Sequence, residues 1–425
     1  MDSSTEQRAV NQLQLIVLEP SIEKFEMNDL RSLMPALQNK NYFNYGGQGP
    51  LPSPSLEAIT ASWQKIQELG PFTNDVWPYV MKEMKATREY LAKICGVPSN
   101  RVALTENVTS GCVLPIWGLP FSQGERVLIS DCEHPGVVSA CRELARRRQL
   151  HVDILPVQQL RGGVDQQEHI KMSLLESLEM GLKPKTKLVV LSHLLWNTGQ
   201  LISIESIAQR LSEHKNKPFL LVDAAQSFGQ IPIKEAAAKV DIYAFTGHKW
   251  ACGPEGLGAV ALSERILEEA KPTLIGWRSL QHEGSINLDE EDLFHVDSRR
   301  FEIATSCIPL LAGLRCSLTL LGEKYSEKER LKKIQVLSSQ LWSELNSLNG
   351  VEPILTSPPP AGLVTFTLPK QHSTKRIVQL LGREGLWIRD LEDPVSLRAC
   401  LHVTSNAHEI KALIEAIKKL TGTTH

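Results

Sequence analysis

Between residues 101 and 247, short apolar runs rich in β-branched residues alternate with stretches of helical patterning, and this constrains the fold more than any other feature. The runs are RVALT (101–105), ERVLIS (125–130), HVDILPV (151–157), KLVVLSHL (187–194), PFLLVDAA (218–225) and DIYAFTG (241–247). Each is nearly continuous in apolar character, as expected of strands in a parallel sheet covered on both faces. PGVVSACRELARRRQ, with Pro135 in its first turn, and SIESIAQRLSEHK fill gaps as helices. Alternating strands and helices predict an α/β architecture with right-handed crossovers. Ligands of such sheets sit at the carboxyl ends of the strands.

After about residue 290 the pattern changes. A long helical stretch runs from LLAGLRC to ELNSL, and the Pro-rich turn SPPPAG then leads into an alternating strand. A helix, strands near LWIRD and LRACLHV, and a closing helix follow. This predicts a mainly parallel large domain over 41–290 and a smaller α+β domain over 291–425. Residues 1–40 are expected to pack on the small domain or on a partner subunit. The 425 residues are 42% hydrophobic and 22% charged, with a formal net charge of −2. No global pull toward nucleic acid or anionic membrane is expected from that balance. No repeat is visible, and the apolar run LQLIVL near the start is too short for a membrane span. Eight cysteines without a CxxC pair predict reduced thiols in a cytoplasmic protein.

Polar residues gather just past the strand ends: Thr109 and Ser110, Cys132-Glu133-His134, Asn197, Asp223 with Gln226, and Thr246 with His248-Lys249. Asp223 closes a strongly apolar strand, where a buried charge is costly unless paired. A cationic ring nitrogen would stabilise it, and Gln226 would reach an adjacent ring oxygen. Lys249 follows 26 residues later at a neighbouring strand end. Desolvated there, its neutral amine would be favoured and ready to form a Schiff base. Asp plus Lys in these roles is the protein's share of pyridoxal 5′-phosphate (PLP) chemistry. A helix-capping Asp and a solvated Lys are the alternative reading. Thr109, Ser110 and Gly111 before a helix, with Thr246 and His248, would suit a phosphate. Thr109 could equally be a helix cap. His134 would stack on a flat ring or be structural. Cys132 and Glu133 lack a second ligand pair, so no metal is expected. GPEGLG follows a lysine and enters a strand, so it is not a dinucleotide fingerprint. YGGQGPLP (45–52) is a turn whose glycines would let backbone approach a substrate.

With these residues assembled, the chain resembles the class V aminotransferase-like PLP enzymes of fold type I. FTGHKWACGPEGLG resembles their Schiff-base lysine motif and LVDAAQSFGQ their pyridine-nitrogen motif. Within the group, ENVTSGC, DCEHPG, LSHLLWNTGQ, YAFTGHKW, GWRS, RRFEIATS and DPVSLRAC are most similar to the cyanobacterial L-cysteine/cystine C–S lyases. The resemblance implies that Thr109, Thr246 and His248 bind phosphate, that His134 stacks on the ring, and that Asn197 lies near the substrate or ring hydroxyl. It implies Arg398 as the clamp for the substrate α-carboxylate, with Arg389 as a second candidate. It further implies a homodimer in which the loop Gly276–Ser279 reaches the other subunit's site. Desulfurases of this fold carry a nucleophilic cysteine on a loop after the position of Arg389. This chain has none between Arg389 and Arg398, and Cys400 falls on a strand. Elimination is therefore expected. Lys249 would take the Cα proton of cystine or cysteine, and His134 would help protonate the departing sulfur. Pyruvate, ammonia and a persulfide or sulfide would be released, the sulfur passing to an acceptor. A desulfurase, epimerase or aminotransferase reaction, or a non-catalytic member that binds only a phosphate ligand, are the alternatives.

Overall fold

The computed structural model describes residues 30–281 and 293–422. A two-residue strand, β1 (Asn41–Tyr42), precedes the apolar runs, which form strands where the patterning predicted them. These are β2 (Val102–Thr105), β3 (Arg126–Ser130), β4 (His151–Leu155), β5 (Thr186–Ser192), β6 (Phe219–Asp223) and β7 (Ile242–Thr246). The glycine-rich turn after β7 leads into β8 (Gly258–Leu262). Together they make one seven-stranded sheet in the order β2-β8-β7-β6-β5-β3-β4. Only β8 runs against its neighbours.

Alternate residues along each strand enter separate cores. Leu188 and Val190 pack on one face of the sheet, Val189 and Leu191 on the other. All four are buried, and each such side chain contributes roughly 1.5–3 kcal/mol from the area removed from water. A strand needed on both faces cannot alternate with polar residues, which explains the unbroken apolar runs. Two helix starts beside the sheet's carboxyl edge are capped by side chains. Asn107 accepts from Ser110 N (2.9 Å) at helix Val108–Trp117, so Asn107 is the cap and Thr109 lies within the first turn. His134 Nδ1 accepts from Gly136 N (3.2 Å) at helix Pro135–Arg148.

The long helical stretch expected after residue 308 is two helices, Ile308–Lys324 and Glu327–Asn346. Ser326 and Glu329 form a capping box at the break: Glu329 N donates to Ser326 Oγ (3.3 Å), and Ser326 N to Glu329 Oε2 (2.9 Å). The two halves serve different cores. Leu311, Leu314, Leu318 and Leu321 join the large core with Phe245 and Trp250. Leu337, Leu341 and Leu345 pack with Phe43, Phe366 and Leu397 in a second core. That second core lies on an antiparallel sheet ordered β12-β13-β10-β9. Its strands are β9 (Glu352–Pro353), β10 (Leu363–Thr367), β12 (Arg389–Glu392) and β13 (Val395–Cys400), while β11 (Leu386–Trp387) pairs in parallel with β1. The fold is thus the expected α/β one, a mostly parallel large sheet with a smaller α+β region.

The expected boundary between residues 290 and 291 and the segment before residue 30 lie outside the described residues. From residue 30 onward the chain packs Leu30, Met34 and Leu37 into the large core. Arg31 donates to Thr404 O (3.1 Å) and pairs with Glu409 (3.0 Å).

Candidate active site

Running the chain outward from β3 to β4 and back to β5 on the other side of β3 creates a switch point in the sheet. The carboxyl ends of β3 and β5 part there, and those of β2, β6 and β7 lie on the same edge. A cleft of about 420 Å3, its open mouth included, sits at this edge. Thr109, His134, Asp223, Gln226 and Lys249 line it together, as do Ser192 and Trp196, which sequence reasoning did not single out. Ser192 is the first polar residue after the apolar stretch of KLVVLSHL and the last residue of β5. Trp196 offered no signal beyond its neighbour Asn197.

Lys249 follows β7 in a turn closed by backbone bonds: Gly247 N to Leu257 O (3.0 Å), Gly253 N to Gly247 O (2.9 Å) and Cys252 N to Lys249 O (3.0 Å). Gly49 packs against this turn, and a Cβ at position 49 would stand 2.1 Å from Lys249 O. Burial pushes the Lys249 ammonium down to about 8, with the charges of Arg398 and Arg389 acting the same way and Asp223 opposing. Burial likewise raises the Asp223 carboxyl, against the Ala225 N–H that Oδ1 accepts (2.8 Å) and the charges of Lys249 and His134. Among the described residues no cation forms an ion pair with Asp223. His134 is held below its ordinary range by burial first and then by Lys249 and Arg389. Its ring meets Trp196 edge-on at 6.1 Å.

Other candidates are engaged differently. Thr246 Oγ1 and His248 Nδ1 hydrogen-bond each other at 2.7 Å. Ser110 N is spent on the Asn107 cap. Gln226 lines the cleft, but Nε2 donates to Gly46 O (2.9 Å) and Oε1 accepts from Trp250 Nε1 (2.9 Å). Asn197 Nδ2 donates to Asp393 O (3.2 Å), while its buried Oδ1 has no partner among the described residues. Glu133 is buried among Ser130 Oγ (2.5 Å), Ser192 N (2.7 Å) and Ser192 Oγ (2.8 Å), all donating to it. Burial, then the Asp223 charge, push its carboxyl up to about 7. Arg389 and Arg398 face each other across β12 and β13, Arg389 exposed and Arg398 1% exposed. Arg398 Nη1 donates to Trp196 O (2.7 Å). Its Nε and Nη2 find no acceptor oxygen among the described residues, only the weak Cys400 thiol. A buried guanidinium with unused donors is suited to a carboxylate. The Gly276–Ser279 turn holds Arg278 and Ser279 buried, and Trp277 meets Trp77 edge-on at 6.2 Å.

A lysine whose ammonium is destabilised by burial, opposite a buried carboxylate that forms no ion pair among the described residues, fits a ring that carries an aldehyde and a protonated nitrogen. Fold and site thus define a PLP enzyme of fold type I. Residues 69–413 match the aminotransferase class-V family model, and the chain belongs to that family, whose cofactor is pyridoxal 5′-phosphate. The chain is similar to the cystine C–S lyase C-DES in complex with its reaction product cysteine persulfide. Identity there is 39% and the TM-score 0.83, covering 90% of this chain and 98% of that one. A variant of the same lyase, with glycine covalently linked to the PLP cofactor, matches at 38% identity and a TM-score of 0.84, covering 91% and 98%. Isopenicillin N epimerase of Amycolatopsis lactamdurans is 27% identical, covering 92% of this chain and 96% of its own. A probable cysteine desulfurase of Methanothermobacter thermautotrophicus is 24% identical, covering 93% and 98%.

Proposed function

We propose that this protein is a PLP-dependent C–S lyase that eliminates sulfur from L-cystine or L-cysteine. Cystine and water would give pyruvate, ammonia and cysteine persulfide; cysteine would give sulfide in place of the persulfide. The observation that carries this reading is the segment from Arg389 to Arg398. It is a closed antiparallel hairpin without a thiol, and Cys400 beyond it is buried. A desulfurase needs a mobile cysteine to accept sulfur, and this hairpin offers none. Likeness to a cystine lyase over nearly the whole chain supports the same reading.

Each side chain then has a task. Arg398 takes the substrate carboxylate on its unused donors, and exposed Arg389 adds positive potential nearby. Thr109, Thr246 and His248 would hold the phosphate, His134 would lie against the ring, and Asn197 would serve the ring hydroxyl. Gln226 acts through Gly46 and Trp250 rather than on the ring oxygen. When bound, the cofactor supplies an electron sink for the substrate carbanion. Asp223 keeps the ring nitrogen protonated. Lys249 would remove the Cα proton as general base. His134 donates a proton to the leaving sulfur. The enamine released into water hydrolyses to pyruvate and ammonia, and the persulfide passes to an acceptor thiol.

The protein acts as a homodimer in the cytoplasm. Phe72 is 84% exposed and edge-packed on Trp77, which meets Trp277 of the Gly276–Ser279 turn, and such an apolar surface suits a second copy. All eight cysteines are free thiols, in keeping with a reducing compartment.

The test incubates purified holoenzyme separately with cystine and cysteine. Pyruvate and ammonia in equal amounts support elimination. Alanine with a protein-bound persulfide would replace this reading by desulfuration, and inversion of the amino acid without sulfur release would replace it by epimerisation.

A further inference from the structure

Trp250 directly follows Lys249 and is fully buried, yet its indole N–H and its carbonyl reach other parts of the chain. Its indole Nε1 donates to Gln226 Oε1 (2.9 Å), and Gln226 Nε2 donates onward to Gly46 O (2.9 Å). Its carbonyl oxygen lies 3.2 Å from His402 Nε2. A carbonyl can only accept, so this His402 nitrogen carries the proton and Nδ1 is an acceptor. Thr404 Oγ1, 2.9 Å from Nδ1, must therefore donate to it, which leaves Tyr45 O–H to donate to Thr404 Oγ1 (2.7 Å). Tyr45 precedes Gly46, so the circuit closes on itself. Burial pushes the His402 imidazolium down to about 3, so the ring is neutral near pH 7, and its partners select the tautomer.

Four separate stretches of chain meet in this circuit. Tyr45 and Gly46 come from the N-terminal segment, Gln226 from the turn after β6, Trp250 from the turn after β7, and His402 and Thr404 from just beyond β13, the strand that carries Arg398. Tyr45 also stacks on His402 (4.4 Å, 14°). Gly46 touches Arg398 itself: a Cβ there would lie 2.9 Å from Nη2. The circuit therefore spans the gap between Lys249 and Arg398, and every polar side-chain atom in it has a partner.

We propose that His402, with Thr404 and Tyr45, is a positioning unit that holds the substrate-carboxylate arginine, Arg398, in register with the Schiff-base lysine, Lys249. The assignment rests on the roles proposed above for Lys249 and Arg398, but not on which bond is broken after proton removal. Register decides whether the Cα proton of a substrate clamped at Arg398 lies within reach of the Lys249 amine. A misplacement of about 1 Å can cost about a hundredfold in rate. Loosening the circuit leaves the clamp intact and slows the proton transfer.

The experiment compares Thr404→Val, which has the same shape without the hydroxyl, with Thr404→Ser, which restores it. Two readouts on the holoenzyme are independent of sulfur chemistry. One is exchange of the Cα proton of L-alanine in deuterated water, and the other is the pH midpoint of the cofactor's absorption band. Thr404→Val is expected to slow exchange at saturation about tenfold or more, to leave half-saturation within about threefold, and to move the midpoint. Thr404→Ser should recover all three. Tyr45→Phe, which removes only the outermost bond, should shift the same readouts less, and it serves if Thr404→Val does not fold. Exchange within about twofold of wild type with an unmoved midpoint, in whichever of these hydroxyl-free variants folds, overturns the proposal. If the holoenzyme releases no pyruvate from cystine yet exchanges the alanine proton, the lyase reading fails and the positioning role is still decided by the same comparison.

Discussion

Burial takes the Lys249 ammonium out of water, and the neighbouring arginines add to the cost of its charge. The fraction present as free amine therefore climbs steeply through about pH 8 instead of the usual 10.5. Cofactor attachment to apo-protein is expected to speed up about tenfold from about pH 7 to about pH 9 and then level off; stopped-flow absorbance measures this, and a rate still rising steeply near pH 10 would contradict it. Glu133 works in the opposite sense. Its folded carboxyl is raised to about 7 from 4.5, so the proton it keeps favours the folded state below 4.5 in full. That contribution is lost as pH rises from 4.5 to about 7, where the unfolded chain ionises first. Urea unfolding across this window should find wild type losing stability relative to Glu133→Gln, which has nothing to titrate. The charged and titrating groups around Glu133 are Asp223, Cys112, Cys132, Cys141 and His134. The buried thiols among them are raised by desolvation and stay neutral there.

Capping chemistry sets the boundaries of several elements, and Ser326 is the clearest case. Ser326→Ala removes one side of the box that starts helix Glu327–Asn346 and should cost about 1 kcal/mol in urea unfolding with turnover unchanged. The signal was in the sequence, as a serine three residues before a glutamate, yet the apolar periodicity runs through it and hides the break. The inner strands of the large sheet were legible because continuous burial leaves an unbroken apolar run, whereas edge strand β4 is largely uncovered. β1 was not legible, since two residues carry no period, while the strand expected near LWIRD is split into β11 and β12 at Ile388. At the site, Asp223, Lys249 and His134 could be found because strand ends of one sheet converge by topology. The engagement of Gln226 with Gly46 and the tie from Trp250 to His402 join residues 180 and 152 positions apart. No local pattern encodes such contacts. Asn107 was overlooked as a cap because Thr109 has the same chemistry two residues later.

At the scale of the molecule, Phe72, Trp77 and Trp277 leave an aromatic surface that a monomer would expose to water. Light scattering should give twice the chain mass of 47.3 kDa for wild type and the single mass for Phe72→Asp. A dimeric Phe72→Asp would move the interface elsewhere. The two lobes also differ in how the chain supplies them. The seven strands of the large sheet come in one uninterrupted block, whereas the small core draws Phe43 from near the beginning and Leu337 through Ile417 from near the end. On a translating ribosome the big sheet can assemble while synthesis continues, but Phe43 and β1 must wait for strands still to be made. Arg398 lies on one of those late strands, so the arginine proposed as the carboxylate clamp is added only after every strand of the big sheet has been made.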